Sequence, residues 1–240
     1  MRVRVELWPR GPYPDVAVLV DVLRASTSIG LLLARGAREV WVTGSLRAAR
    51  EFPADLRLAE REGLPPEGFH HGTSPVELLR LPAAGLRVVY TSENLPRALD
   101  LTRGARAVFL AGLRNARAAA GAAARAARQE VAVVAVGHRG REALDDVLGA
   151  GFLAKKLLRS LPGAEPDDGA RIAASLLRAF PDPQEALWQS ASGRLLRSLG
   201  QAEDLAQASL IARDPAAPRL AGLERHRGRT LYRFVADEPD

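Results

Sequence analysis

Asp21, Arg24, Ser26, Thr27 and Ser28 crowd into the short stretch VLVDVLRASTSIG (18–30), directly after an apolar run. A carboxylate at the end of a buried strand needs a cation or hydrogen-bond donors around it. An arginine fork beside a helix N-terminus suits an anion, a phosphate above all. Carboxylate oxygens suit a hard cation such as Mg²⁺. Helix capping by the hydroxyls is the plainer reading of Ser26 and Thr27, and it is compatible with the first.

Other polar groups recur just past the ends of apolar runs. Glu60, Arg61 and Glu62 follow one, and Thr91, Ser92, Glu93 and Asn94 close another. Arg114 and Asn115 follow a third, and Gly137, His138, Arg139 and Gly140 a fourth, with Asp145 and Asp146 about two helical turns beyond. In an open α/β sheet, ligands bind beyond the carboxyl ends of the strands. These groups therefore converge on one rim if the apolar runs are parallel strands. Read separately, Asp145 and Asp146 also fit a solvated helix face.

The elements that must position them alternate. Runs at 3–7, 16–22, 38–42, 56–60, 87–92, 105–112 and 131–137 read as strands, separated by helical patterns. Ser45 and Ser74 are expected N-caps, and Pro75 suits a first helical position. Pro96 places the start of a helix late in ENLPRALDLTRG. Helices are also expected over RNARAAAGAAARAARQE and 141–160. The pattern predicts a layered α/β/α fold with a largely parallel or mixed central sheet. Residues 1–240 are read as one domain, with a helical C-terminal subdomain from about 168 as the alternative. RLAGLERH and RTLYRFV, separated by RG, read as a hairpin.

Composition bounds the function. There is no cysteine among the 240 residues, which excludes thiolate metal sites, disulfides and cysteine nucleophiles, and four histidines leave little for a histidine-rich centre. A metal, if used, is then a hard ion on carboxylates. The formal charge of +6 comes almost entirely from arginines scattered over helices that also carry acids. Few aromatics interleave with them, so a nucleic-acid groove is not expected, while an anionic metabolite would be attracted. No apolar run approaches the roughly 20 residues of a membrane span. The start, MRVRVELWPR, alternates like a strand and lacks a signal peptide's apolar centre, so a cytoplasmic location is expected. There is no G-x-x-x-x-G-K-[ST] loop and no G-x-S-x-G elbow. GHRG and RHRG lie in the wrong order and place for a phosphohistidine motif.

In order along the chain, DVLRASTSIG (21–30), LAEREG (58–63), GFHHGTSPVELL (68–79), AGLRNARAAA (111–120), VGHRGREALDDVLGAG (136–151) and SGRLLRSLGQAEDLAQAS (192–209) resemble the 2-phosphosulfolactate phosphatase family. The likeness spans about residues 16–214. One segment departs from it: the family's T-T-N-G-T-R-A-L stands here as TSENLPRAL (91–99), so Leu95 and Pro96 replace a glycine and a threonine. Thr73 also stands for an asparagine, and Asp145 for a glutamate.

The resemblance implies a Mg²⁺-dependent phosphatase associated with coenzyme M biosynthesis. Its substrate would be a small phosphorylated hydroxy acid, cleaved to a 2-hydroxy acid such as sulfolactate and phosphate. On this reading Asp21, Glu60 and Asp146 hold the metal or activate water. Arg24 with Ser26 and Thr27 holds the phosphate, with Ser74 also on the substrate side. Arg114 and Arg139 take the sulfonate or carboxylate, and Asn94 and Asn115 position the substrate. The departures leave two alternatives open: another anionic substrate, or a protein that binds an anionic metabolite without catalysis. A homo-oligomer also stays open.

Overall fold

A computed structural model describes residues 1–61 and 64–237. Glu62, counted above among the rim residues, lies outside them. The chain runs β1 (Arg2–Glu6), β2 (Val16–Val20), α1 (Ala25–Ala34), β3 (Glu39–Thr43), α2 (Leu46–Glu51), β4 (Leu56–Leu58), α3 (Pro75–Leu78), β5 (Arg87–Thr91), α4 (Leu95–Asp100) and β6 (Ala107–Ala111). It continues through α5 (Ala116–Ala126), β7 (Glu130–Ala135), α6 (Leu144–Ser160), the short β8 (Glu165–Pro166), α7 (Asp168–Ala179), α8 (Pro183–Gln189), α9 (Ala191–Ser198) and α10 (Ala202–Ser209). Two long strands, β9 (Ala217–His226) and β10 (Arg229–Asp237), close it.

All the strands join one sheet of order β4-β5-β3-β10-β9-β6-β2-β7-β1-β8. It is a mixed sheet, as the alternation predicts. β4, β5 and β3 are mutually parallel, and so are β6, β2, β7, β1 and β8. The terminal hairpin joins the two parallel blocks, pairing antiparallel with β3 through β10 and with β6 through β9. Its turn residues Arg227 and Gly228 both have positive φ, 51° and 72°. That is the backbone a two-residue hairpin turn needs to match strand twist.

The central strands are buried along their length. β2 and β3 carry no exposed residue, and Val18, Leu19 and Val133 are 0% exposed. Side chains alternate between the faces of a strand. Val16, Val18 and Val20 of β2 accordingly join the core under α5 and α6, while Ala17 and Leu19 join the core under α1. The sheet is thus covered on both faces, and its strands read as continuous apolar runs for that reason. No helix among the described residues is long and apolar enough to cross a membrane.

Several boundaries shift from the sequence expectation by a few residues, and two of the shifts bear on the site. The strand expected over 56–60 ends at Leu58, which frees Glu60 to leave the sheet. The helix expected over 141–160 begins at Leu144, because His138 and Arg141 exchange backbone hydrogen bonds of 2.9 and 3.1 Å across a tight turn.

Candidate active site

A cleft of about 490 Å³ opens past the carboxyl ends of β2, β4, β5 and β7. Of the residues given roles from sequence, Asp21, Arg24, Glu60, Asn94 and Arg139 line it, together with the rim residues Arg61, Thr91, Ser92, Glu93 and His138. The other candidates are built into its supports.

Asp21 ends the buried run and stays only 6% exposed. Its Oδ1 accepts the backbone N–H of Ala25 at 3.0 Å, so it terminates α1 from four residues upstream. Arg24 stands at the N-cap position without making a side-chain cap. Its Nη1 donates to Gln201 Oε1 at 2.6 Å and to Asp204 Oδ2 at 2.7 Å, and its Nη2 donates to Glu60 Oε2. Asp204 is itself held by the Ser74 hydroxyl at 2.5 Å. The guanidinium, with five donors in a fixed plane, is thereby aimed from three sides while remaining on the cleft wall.

The hydroxyls expected to meet a ligand turn inward. Ser26 Oγ accepts the Asp21 N–H at 3.1 Å, and Thr27 Oγ1 donates to the Val22 carbonyl at 2.7 Å. Ser28 Oγ reaches the Thr73 carbonyl at 2.7 Å. Ser26 and Thr27 lie inside α1 and are buried, so they brace the β2–α1 turn and do not line the cleft. Ser74 caps α3, accepting from Glu77 N, and serves Asp204.

Arg114 is corrected more sharply. Its Nε and Nη2 donate to both oxygens of Asp214, at 2.8 and 2.9 Å, and its Nη1 donates to Gln207. A bidentate pair of this kind, buried at both ends, ties the residues after α10 to the β6–α5 corner, and Arg114 does not line the cleft. Asn115 likewise accepts from Gly112 N–H and donates to the Leu110 and Ala216 carbonyls. Both belong to the scaffold.

The acidic groups fall into two sets. Glu60 has moved onto Arg24, and Asp146 spends both oxygens on backbone N–H groups, Oδ1 on Val22 and Oδ2 on Gly137, each at 2.8 Å. The expected metal set of Asp21, Glu60 and Asp146 is therefore not gathered. Among the described residues no three His, Cys, Asp or Glu side chains form a ligand group. Asp145, which the sequence reading left aside, keeps its buried Oδ1 without a hydrogen-bond partner.

Asp21, Asp145 and Asp146 nonetheless share one electrostatic environment. Burial pushes the Asp21 carboxyl up to about 6, against the opposing pull of backbone donors and of the Arg24 charge. Burial, then the Asp21 charge, raises Asp145 to about 7. Burial and both neighbouring carboxylates raise Asp146 well above the ordinary range. Such crowding of buried carboxylates is a frequent mark of a functional site.

The opposite rim comes from β5 and the turn after β7. Asn94 Oδ1 accepts the Arg139 backbone N–H at 3.2 Å. Arg139 and Gly140 take φ of 48° and 81°, a tight turn that places His138 and Arg139 in the cleft wall. Burial and the Arg139 charge hold the His138 imidazole below its usual pKa. Gly137 is required at the strand end, since at φ 81° a Cβ would lie 2.3 Å from the Arg141 carbonyl and against Trp8. Sequence reasoning missed the third wall, Ser192, Leu195 and Leu199 of the α9 region, and the Arg24 partners Gln201 and Asp204. Their only signal was the ordered C-terminal segment 192–209, which contains all five.

Comparison with known proteins places the chain beside one family. A family model described as 2-phosphosulpholactate phosphatase matches residues 3–222. A protein of Deinococcus radiodurans is 44% identical over 225 residues, covering 92% of this chain and 93% of that one. One of Thermus thermophilus is 42% identical over 227 residues, covering 92% and 95%. A third, from a Synechococcus strain, is 38% identical over 201 residues, covering 80% and 83%. All three carry the name "Probable 2-phosphosulfolactate phosphatase".

Proposed function

Since the chain belongs to the 2-phosphosulfolactate phosphatase family, a family of phosphoric monoester hydrolases, we propose that its cleft hydrolyses 2-phosphosulfolactate or a close analogue. Water adds to phosphorus, the P–O bond to the hydroxy acid breaks, and the departing oxygen takes a proton. The products are sulfolactate and phosphate. The observation that carries the reading is Arg24, a buried guanidinium on the cleft wall beside Asp21, fixed by Asp204, Gln201 and Glu60.

The three bonds to Gln201, Asp204 and Glu60 leave the Nε–H and one Nη2–H of Arg24 for the phosphoryl oxygens. Because its partners already set its orientation, less is lost on ordering it when substrate arrives. Asp21 and His138 both line the cleft, the Asp21 carboxyl pushed up by burial and the His138 imidazole held below its usual pKa by burial and the Arg139 charge. His138 is the candidate to exchange protons with water and the departing oxygen. Arg61 and Arg139 face the same space and can meet the carboxylate and sulfonate of the substrate.

A Mg²⁺ requirement fits the donors present. The Asp145 Oδ1, buried without a hydrogen-bond partner, and the Asp21 carboxylate near it are hard oxygen donors. Mg²⁺ characteristically takes one or two carboxylates together with substrate phosphate, so a full protein cage is not needed. Asp21 and Asp145 would hold it. When bound, the ion would neutralise phosphoryl charge and lower the pKa of water.

Phosphate release from a panel of phosphorylated hydroxy acids, with Mg²⁺ and with chelator, tests the reading. Release that is greatest with 2-phosphosulfolactate and lost with chelator supports it. Binding of these acids without turnover on any of them replaces it with the metabolite-binding alternative.

A further inference from the structure

Of the arginines in the cleft, Arg24 is held by Asp204 and Glu60, while Arg139 has no carboxylate partner among the described residues. Arg61 differs from both. Its Nη1 lies 2.8 Å from Glu93 Oε1, and both side chains are more than half exposed. Both also line the cleft. An anion-binding cleft thus contains a carboxylate of its own, set on one of its cations.

Glu93 lies in TSENLP, the segment that departs most from the family pattern, between the end of β5 and α4. We propose that Glu93 is a specificity-determining residue: it occupies Arg61 as an internal stand-in for the acid end of the substrate, which must exchange with it to bind. The inference rests on the phosphatase reading of the cleft and adds the residue that tunes recognition away from the phosphate.

The energetics suit an exchangeable pair. Exposed ion pairs contribute roughly 0.2–1 kcal/mol, so a carboxylate or sulfonate on the ligand displaces Glu93 at small cost. The pair joins residues far apart in sequence, on the loop after β4 and the end of β5, so its opening requires only side-chain motion. A competitor of this kind weakens every acid that uses Arg61 and leaves those that do not untouched.

Calorimetric binding of sulfolactate at about 0.15 M salt, where distant exposed charges are largely screened, tests this with Glu93→Gln, Arg61→Gln and the double variant. Glu93→Gln should bind about two- to five-fold tighter than the unaltered protein. Arg61→Gln should bind more weakly, and Glu93→Gln should add no gain in that background. No tightening in Glu93→Gln, or the same tightening without Arg61, overturns the proposal. Thermal melts of each variant confirm that the fold is kept. If phosphate esters are hydrolysed normally while Glu93→Gln binds unchanged, only this proposal fails. If the unaltered protein neither binds nor hydrolyses any of them, the phosphatase reading fails and takes the proposal with it.

Discussion

Arg24 and Asp204 are 180 residues apart in the chain, yet Arg24 Nη1 lies 2.7 Å from Asp204 Oδ2. Their side chains are only 4% and 2% exposed. One belongs to the β2–α1 turn and the other to α10, so the last helix of the chain aims the arginine at the start of the first. Removing one partner of a buried pair typically costs about 3–5 kcal/mol when the other is left uncompensated. Glu60 stays on Arg24, so Asp204→Ala should lose stability by less than that, about 1–3 kcal/mol. Asp204→Asn, which keeps an acceptor, should retain the fold but lose at least tenfold in phosphate release. Denaturant melts and turnover measured together check both; an Asp204→Asn enzyme of undiminished activity would show that Arg24 needs no such support.

Arg114 supplies the opposite expectation. Its bidentate pair with Asp214 is buried and lies outside the cleft. Arg114→Ala should therefore cost about 3–5 kcal/mol of stability. At a temperature where the variant remains folded, its KM for substrate should stay within about twofold, the range of an uninvolved residue. A KM raised tenfold or more at full folding would return Arg114 to the site.

Those two arginines mark what the sequence could disclose. Each follows an apolar run, each sits before a helix, and each looks equally able to take an anion. What separates them is the position of Asp204 and Asp214, contacts across 180 and 100 residues that no local pattern encodes. Strand and helix types were legible because burial on both faces writes continuous apolar runs and because Ser45, Ser74 and Pro96 mark helix starts. The hairpin was legible from its Arg-Gly turn, but its place inside the sheet was not, since strand order depends on packing between distant segments. Asp21 was readable as a buried strand-end carboxylate. The inward turn of Ser26 and Thr27 was not, because hydroxyls at a helix start suit a ligand and a carbonyl equally well.

Acid stability has a specific origin in Asp15. Burial alone would push its carboxyl up, but the backbone N–H groups of Gln129, Glu130 and Arg128, with Arg106, hold it down at about 2. A native pKa below the ordinary 3.8 means the unfolded chain takes up the proton first. The contribution is then complete above about pH 4 and is lost as pH falls towards 2. Urea melts of the unaltered protein and Asp15→Ala should differ by a constant amount above pH 4 and converge below it. A difference that persists unchanged to pH 2 would exclude this linkage.

Asp21 and Arg24 stand at the centre of the proposed phosphatase site. Phosphate release from 2-phosphosulfolactate by Asp21→Asn beside the unaltered protein, with Mg²⁺ present and equal folding verified by circular dichroism, tests that placement. A loss of at least a hundredfold in kcat is expected. Full Mg²⁺-dependent turnover by Asp21→Asn would remove Asp21 from the site.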